Sequence, residues 1–465
     1  MKNLWILTEE RPKSYVIKNI LQIAFKKKSY VGFFNPIKII PLLDRNNLFI
    51  FTYKVLGVDS NQIKDIFIKV VKGKSSFVDF MVFFQEEKPL KNDKPFLIIE
   101  ETKTTDKESR NTGAGQRATK FPYAKIFYPE TKQIMLYSST EEENQNPTES
   151  NQFFTRLLIT YGVEVHGKQL DEKKFQPFTN INELINFKNG MRRPPKGNVP
   201  ILISKHDEKI TVSGRLWKSG NLSHDPNIGQ LSIISAVLRK LGWEGRIEII
   251  QHGLKQNMVK SKNKFVHLAN LLSIELEGLS IPKNQLPKEY WEYEMVGEKM
   301  ATIFLHLLIE YFSNGFCIYS NHAGTERGYF LTKSFKNLVI EKYKNRDAYK
   351  KGDKSQIINL PDLVICDNEN KQIINIEGEQ FKNVSVGIEQ LKLFDAFEKS
   401  YIKPNYPGMP IYRKVVLFGG DSKGLNNNQV SFILTKLGEL CISIENSPYI
   451  LKKSIQNLYD YYASA

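Results

Sequence analysis

Six residues of this sequence stand at spacings that suit metal-dependent hydrolysis. Glu101 and Lys103 close the run PFLIIEETK, Pro95 to Lys103. The run reads as a buried strand, Phe96 to Ile99, that leads straight into charge. Side chains alternate between the faces of an extended strand, so Glu101 and Lys103 share a face and Thr102 points opposite. Asp79 lies inside the apolar run SFVDFMVFF, where a lone acid needs a partner or a cation. A hairpin through the polar turn QEEKPLKNDK brings Asp79 near Glu101. The pattern returns late in the chain. There Asp362 opens one short strand, and Glu377 and Glu379 sit two apart near the end of the next, beyond the turn DNENK. For either copy alone, a surface ion pair at a strand end is the plain alternative.

Carboxylates gathered by strand pairing repel one another and hold their protons more tightly unless a cation neutralises them. All-oxygen donors with few histidines suit Mg2+ better than zinc. The matching chemistry is phosphodiester hydrolysis, in which Mg2+ holds the scissile phosphate and activates a water. A lysine two residues after the ligand orients that water and offsets the developing charge. Lys103 has that place in the first copy and Glu379 in the second.

The elements that position these residues fall into three blocks. In the first, residues 1–145, a helix over Arg11–Lys28 precedes strands at Leu48–Val58, Gln62–Val71, Phe77–Phe84 and Phe96–Glu101. A helix-capable segment and a strand at Gln133–Tyr137 follow. The middle block, 146–285, opens with a polar linker and carries the basic loop MRRPPKGN. It also carries a helix from Asp225-Pro226 to Gly242, whose basic end, Arg239 and Lys240, suits a DNA groove as well as an ordinary packed position. The last block, 286–465, reads as a helix over Glu289–Gly315, a strand at Phe316–Ser320 and a helix near Ser334–Tyr343. The two acidic strands come next, then a helix at Val386–Glu398, a strand at Lys414–Phe418 and a helix at Asn428–Leu440. The alternation predicts a mixed α/β (α+β) fold.

The chain of 465 residues is 41% apolar with a net charge of +16, which excludes a disordered class and favours a polyanionic partner. A Lys-, Asn- and Ile-rich composition from an AT-rich genome gives the same balance. Three isolated cysteines imply neither zinc nor a disulfide framework. No stretch approaches a membrane span. A soluble, cytoplasmic protein without membrane association is expected.

With Asp79 and Glu101-Thr102-Lys103, then Pro361-Asp362 and Glu377-Gly378-Glu379, the sequence resembles the PD-(D/E)xK nuclease superfamily, in particular type II restriction endonucleases. The first copy lacks the proline, having Val78 there, and the second lacks the lysine. The resemblance implies two nuclease cores, each a mixed sheet flanked by helices, with a middle DNA-recognition region. It implies Asp79, Glu101, Asp362 and Glu377 as metal ligands and Lys103 and Glu379 at the water-handling position. Mg2+, with Mn2+ able to substitute, is the expected cofactor. An acid on the first core helix sometimes joins such sites, and Glu10 and Glu298 are the candidates. Two different sites in one chain resemble the type IIS group, in which a monomer or weak oligomer cuts both strands of double-stranded DNA. A companion DNA methyltransferase is then expected in the cell. Arg110, Asn111, Gln116, Arg117, Arg192 and Arg193 carry donors suited to bases or phosphates. Two other readings compete: a single-site nuclease or nickase with a degenerate second core, and a non-catalytic basic DNA-binding protein.

Overall fold

Runs rich in Ile, Val and Phe set most of the architecture, because branched and aromatic side chains pack well on a pleated surface. The computed structural model describes residues 1–103, 113–138, 148–167, 174–192, 201–214, 226–321, 327–345, 348–349 and 352–464. Arg110, Asn111 and Arg193 lie outside the described residues, as does the side chain of Lys103.

In chain order the elements begin with β1 (Lys2–Thr8), α1 (Ser14–Lys28), β2 (Phe33–Leu43), β3 (Phe49–Asp59) and β4 (Ile63–Gly73). The acidic hairpin is β5 (Phe80–Gln85) and β6 (Leu97–Lys103), followed by α2 (Ala114–Arg117), α3 (Lys120–Phe127) and β7 (Lys132–Ser138). The middle of the chain holds α4 (Glu149–Tyr161), β8 (Glu164–His166), α5 (Ile181–Gly190), β9 (Ile203–His206) and β10 (Lys209–Ser213). Then come α6 (Pro226–Lys240), β11 (Arg246–Ile250), α7 (Lys264–Leu272), β12 (Ile274–Leu276) and β13 (Trp291–Tyr293). The last part holds α8 (Lys299–Phe312), β14 (Phe316–Ser320), β15 (Arg327–Leu331), β16 (Asn337–Glu341), β17 (Leu363–Asp367) and β18 (Gln372–Gln380). It closes with α9 (Val384–Leu391), β19 (Ile411–Phe418), β20 (Val430–Leu434), β21 (Leu440–Ile442) and α10 (Tyr449–Ser464). The fold is mixed α/β with several mixed sheets.

The chain forms two compact units, residues 1–9 with 71–292, and residues 10–70 with 293–465. These do not coincide with the three blocks of the sequence reading, because residues 10–70 group with the last block. In the first unit β1, β5 and β6 run antiparallel in turn, and β6, β7 and β8 run parallel. The second unit repeats this order and polarity. There β14, β17 and β18 are antiparallel in turn, and β18, β19 and β20 are parallel. Helix α8 buries its apolar stripe in this unit, with Phe304 stacked on Phe432 at 5.7 Å and set against Phe49 at 5.0 Å.

The middle region is a smaller sheet, with β9 antiparallel to β10 and β10, β11 and β12 parallel. Parallel neighbours need crossovers, which α6 and α7 supply. Helix α6 is a core element: Ile228, Leu231, Ile234 and Val237 are 0% exposed. Its basic end is also committed. The Arg239 guanidinium donates to the carbonyls of Leu272, Trp243, Gly245 and Ser273, so it caps neighbouring chain ends and does not face a groove.

Three expected helices are corrected. Only Lys299–Phe312 of Glu289–Gly315 is helical, because the Glu294 side chain accepts from the amides of Val296 and Gly297 and makes a turn ahead of the helix. Residues Ser334–Tyr343 form the turn and second strand of a hairpin, with Phe330 and Ile340 buried on one face. Residues Asn428–Leu440 form β20 and the turn to β21, where Gly438 has φ of +92° and an added Cβ would meet the Phe49 carbonyl oxygen. Among the described residues no helix is long and apolar enough to cross a membrane.

Replacing Arg239 by Met is expected to lower stability by about 1–3 kcal/mol, because four charged hydrogen bonds to partly buried main-chain carbonyls are lost together. A downward shift of the urea midpoint checks it. An unchanged midpoint would return Arg239 to the exposed basic surface.

Candidate active sites

The strand registers place one Asp directly opposite one Glu in each unit. In the first, Phe80 pairs with Ile99 across β5 and β6, so Asp79, one residue ahead of β5, faces Glu100. In the second, Leu363 pairs with Ile376 across β17 and β18, so Asp362 faces Glu377. Each aspartate then accepts from the amide after that glutamate. Asp79 Oδ2 lies 2.8 Å from the Glu101 nitrogen, and Asp362 Oδ2 lies 3.0 Å from the Gly378 nitrogen. The two sites share this register and this aspartate-to-amide bond.

This register brings Asp362 and Glu377 together as expected, and gives Asp79 a different partner from the one expected. That partner is Glu100, one residue earlier than Glu101. Glu100 and Thr102 occupy the buried face, at 0% and 1% exposed, whereas Glu101 is half-buried and its buried Oε1 has no hydrogen-bond partner among the described residues. Lys103 is the last residue of β6.

The cations of the first site come from the helices after β6. Arg117 and Lys120 are three apart, which places them on one side of a helical path. Lys120 Nζ lies 3.1 Å from Asp79 Oδ1 and 2.7 Å from a Glu100 oxygen. Arg117 lies 2.8 Å from Glu100 and 3.5 Å from Asp79. The Asp79 amide donates to Glu100 at 3.1 Å. Burial works to raise the Asp79 carboxyl, but Lys120, Arg117 and the Glu101 amide outweigh it and hold it below the usual range. Glu100 is closer to both cations but fully buried. Burial and then the Asp79 charge push it up to about 7. Lys120 is made more basic by the two carboxylates despite its own burial.

The second site gathers four acids, Asp362, Glu377, Glu379 and Glu298, that act on one another. Glu377 and Glu379 are 6% and 7% exposed, and Glu298 stands at the entry to α8. Glu377 Oε2 is buried, with no hydrogen-bond partner among the described residues. Burial, then the charges of Asp362, Glu379 and Glu298, push Glu377 up to about 9. Burial, with Glu298 and Glu379, raises Asp362 to about 6 against the Gly378 amide and the Asn321 side chain. Burial and Glu379 also raise Glu298. Gly378 separates the two glutamates because α8 crosses there: an added Cβ would lie 2.5 Å from Thr302 Cγ2.

An all-oxygen donor set with an orphaned buried carboxylate oxygen fits a hard divalent cation. Among the described residues no three His, Cys, Asp or Glu side chains converge on one ion position, so the fit rests on the facing Asp–Glu pairs and that oxygen. Of the proposed base readers, Arg117 is held by the carboxylates. Gln116 is exposed on α2, and Arg192 is exposed with its amide on Glu149 at 2.9 Å. Glu10 is exposed ahead of α1 and belongs to a different compact unit from Asp79.

Sequence reasoning missed Glu100, Arg117 as a carboxylate partner, and Lys120. Leu97, Ile98 and Ile99 are all 0% exposed. A strand buried on both faces has no apolar–polar alternation to fix its phase. The usable signal was the i, i+3 pair of cations in GQRATK.

A glutamate raised from 4.5 to about 9 makes stability fall as pH rises. Above about pH 4.5 the unfolded chain loses that proton, while the folded chain keeps it until near pH 9. Without divalent cations, stability is therefore expected to drop from about pH 5 to about pH 8, by about 1.4 kcal/mol per unit for one such group. Glu377→Gln is expected to flatten this slope and to be the more stable protein at the alkaline end. Thermal denaturation across pH in EDTA checks both, and a full slope in the Gln variant would contradict the assignment. No family model matches this chain, and no match was found among the curated proteins or the solved structures compared with it.

Proposed function

We propose that this chain is a Mg2+-dependent, site-specific endonuclease of the PD-(D/E)xK type, acting on double-stranded DNA in the cytoplasm with one active site per strand. The observation that carries the reading is the shared register: two sheets of one strand order each set an Asp opposite a Glu, with the next amide on the Asp. The net charge of +16 agrees with a polyanionic substrate. A site-specific nuclease of this kind requires a companion methyltransferase to protect the host's own DNA.

Asp362 and Glu377 would hold the ion at one site, and Asp79 and Glu100 at the other. Bound Mg2+ would supply charge neutralisation at the scissile phosphate and a more acidic water. The protein's own groups do the rest. The amides of Gly378 and Glu101 fix the aspartates in place. Glu379 would accept a proton from the attacking water, and Lys120 would face the developing negative charge in place of Lys103. Protons held by Glu377 and Asp362 would leave as the cation enters, so activity should rise with pH.

Arg117 and Lys120 favour a second reading for the first site, since ion pairs already neutralise its carboxylates. In that reading only the Asp362 site cuts, and the first core is structural.

Supercoiled plasmids of varied sequence, incubated with Mg2+ or Mn2+, are expected to be linearised. The Asp79→Asn and Asp362→Asn double variant should cut at least about 100-fold more slowly, the scale of several kcal/mol of lost transition-state stabilisation. Plasmid that stays supercoiled with wild-type protein would overturn the proposal.

A further inference from the structure

Strands β18, β19 and β20 of the second unit run parallel, so their carboxyl ends share one edge of the sheet. The register fixes the level: Gln380 pairs with Phe418, and Phe418 with Leu434. Glu379 pairs with Leu417, so the acid cluster lies at this same edge, and Asp362 joins it from the antiparallel β17. Each of the three strands delivers a lysine just past its end. Lys382 stands two residues past Gln380, Lys436 two past Leu434 and Lys423 five past Phe418. All three are exposed.

Tight turns set these lysines in place. Gly419 and Gly420 both take φ of +80°, a backbone that glycine adopts without strain. The loop they open folds over the Phe381 ring. An added Cβ at Gly420 would lie 2.1 Å from Phe381 Cδ2, and one at Gly424 would lie 2.7 Å from Phe381 Cε2. The loop is thereby packed on the chain that leaves Glu379. Asp421 caps the turn of 3-10 helix over Ser422–Asn426, its side chain accepting from the Lys423 amide at 3.0 Å. Lys436 sits in a turn closed on Thr435, whose carbonyl accepts from the Gly438 amide at 3.1 Å and whose hydroxyl accepts from the Glu439 amide at 3.0 Å. The Lys436 stem runs beside Gly419, where an added Cβ would lie 3.5 Å from Lys436 Cε.

A phosphate that approaches Asp362, Glu377, Glu379 and Glu298 meets like charge, so a polyanion needs cations beside its path. A strand spacing of about 4.8 Å puts β20 about 10 Å from β18. Three successive phosphates of one DNA strand rise through about 10 Å of duplex axis, at about 3.4 Å each. We propose that this edge is a phosphate-binding rail, on which Lys382, Lys423 and Lys436 hold successive phosphates of the DNA strand whose scissile bond lies at the Asp362 site. The place agrees with the general rule that ligands of α/β sheets bind beyond the carboxyl ends of parallel strands. The assignment rests on the DNA-nuclease reading above.

The test is fluorescence anisotropy with a labelled DNA duplex, Ca2+ replacing Mg2+, on the full chain. Lys382→Ala, Lys423→Ala and Lys436→Ala together should weaken binding at least about tenfold at low salt. They should lower the salt slope by about 2–3, near 0.9 for each phosphate that is no longer neutralised. The melting temperature should stay at the wild-type value, since all three side chains are exposed. Lys371→Ala, Lys399→Ala and Lys403→Ala together remove the same charge from the chain that enters β18 and β19 at their opposite ends, and should leave the slope unchanged. Equal losses in the two triple variants, or no loss in the first, overturn the rail and leave the nuclease reading standing. Failure of the wild-type chain to bind duplex overturns that reading, and the rail with it.

Discussion

Two carboxylates set opposite each other across an antiparallel strand pair repel, and burial strengthens the repulsion because less water screens it. Each compact unit contains such a pair at the end of its apolar strands. The structure answers the repulsion in two ways. Around Asp79 and Glu100 the cations are built in, as Lys120 and Arg117 reach both acids from the following helices. Around Asp362 and Glu377 the acids resist giving up their protons, because burial and their mutual charges raise both. The first arrangement holds its charge at home. The second holds protons that a bound cation would displace.

Strand order explains why the pairs recur in one geometry. In both units an antiparallel hairpin (β5–β6, β17–β18) is followed, after a helical crossover, by a strand parallel to its second member (β7, β19). The aspartate stands where the hairpin opens, at the end of a central strand, and its carboxylate accepts the first amide past the facing glutamate. Helix α8 presses on this point in the second unit, which is why a glycine lies between Glu377 and Glu379. In the first unit the same place holds Glu101, whose side chain takes the other face.

Much of this is legible from residue types. The pairing of Asp362 with Glu377 can be read from the sequence because the strand ends at Gln380 and a glycine marks the close approach. The opening strand reads one residue out of phase, because its three apolar positions are buried on both faces and the Glu-Thr-Lys spacing suggests the wrong partner. The hairpin at Arg327–Glu341 is hidden by Leu338, Val339 and Ile340, an apolar run that suits helix and strand alike. Burial of α6 on nearly every side is not apparent from its single stripe, and Arg239 on main-chain carbonyls leaves no local sequence pattern. The grouping of residues 10–70 with the last part of the chain depends on contacts distant in sequence, such as Phe49 against Phe304.

The central claim is that each Asp–Glu pair works on one DNA strand. It is tested most directly by sequencing the ends of DNA cut by wild type, by Glu100→Gln and by Glu377→Gln. Two independent sites predict double-strand breaks from wild type and nicks on opposite strands from the two variants. Loss of all cleavage in both single variants, or full double-strand cleavage by Glu100→Gln, would contradict it.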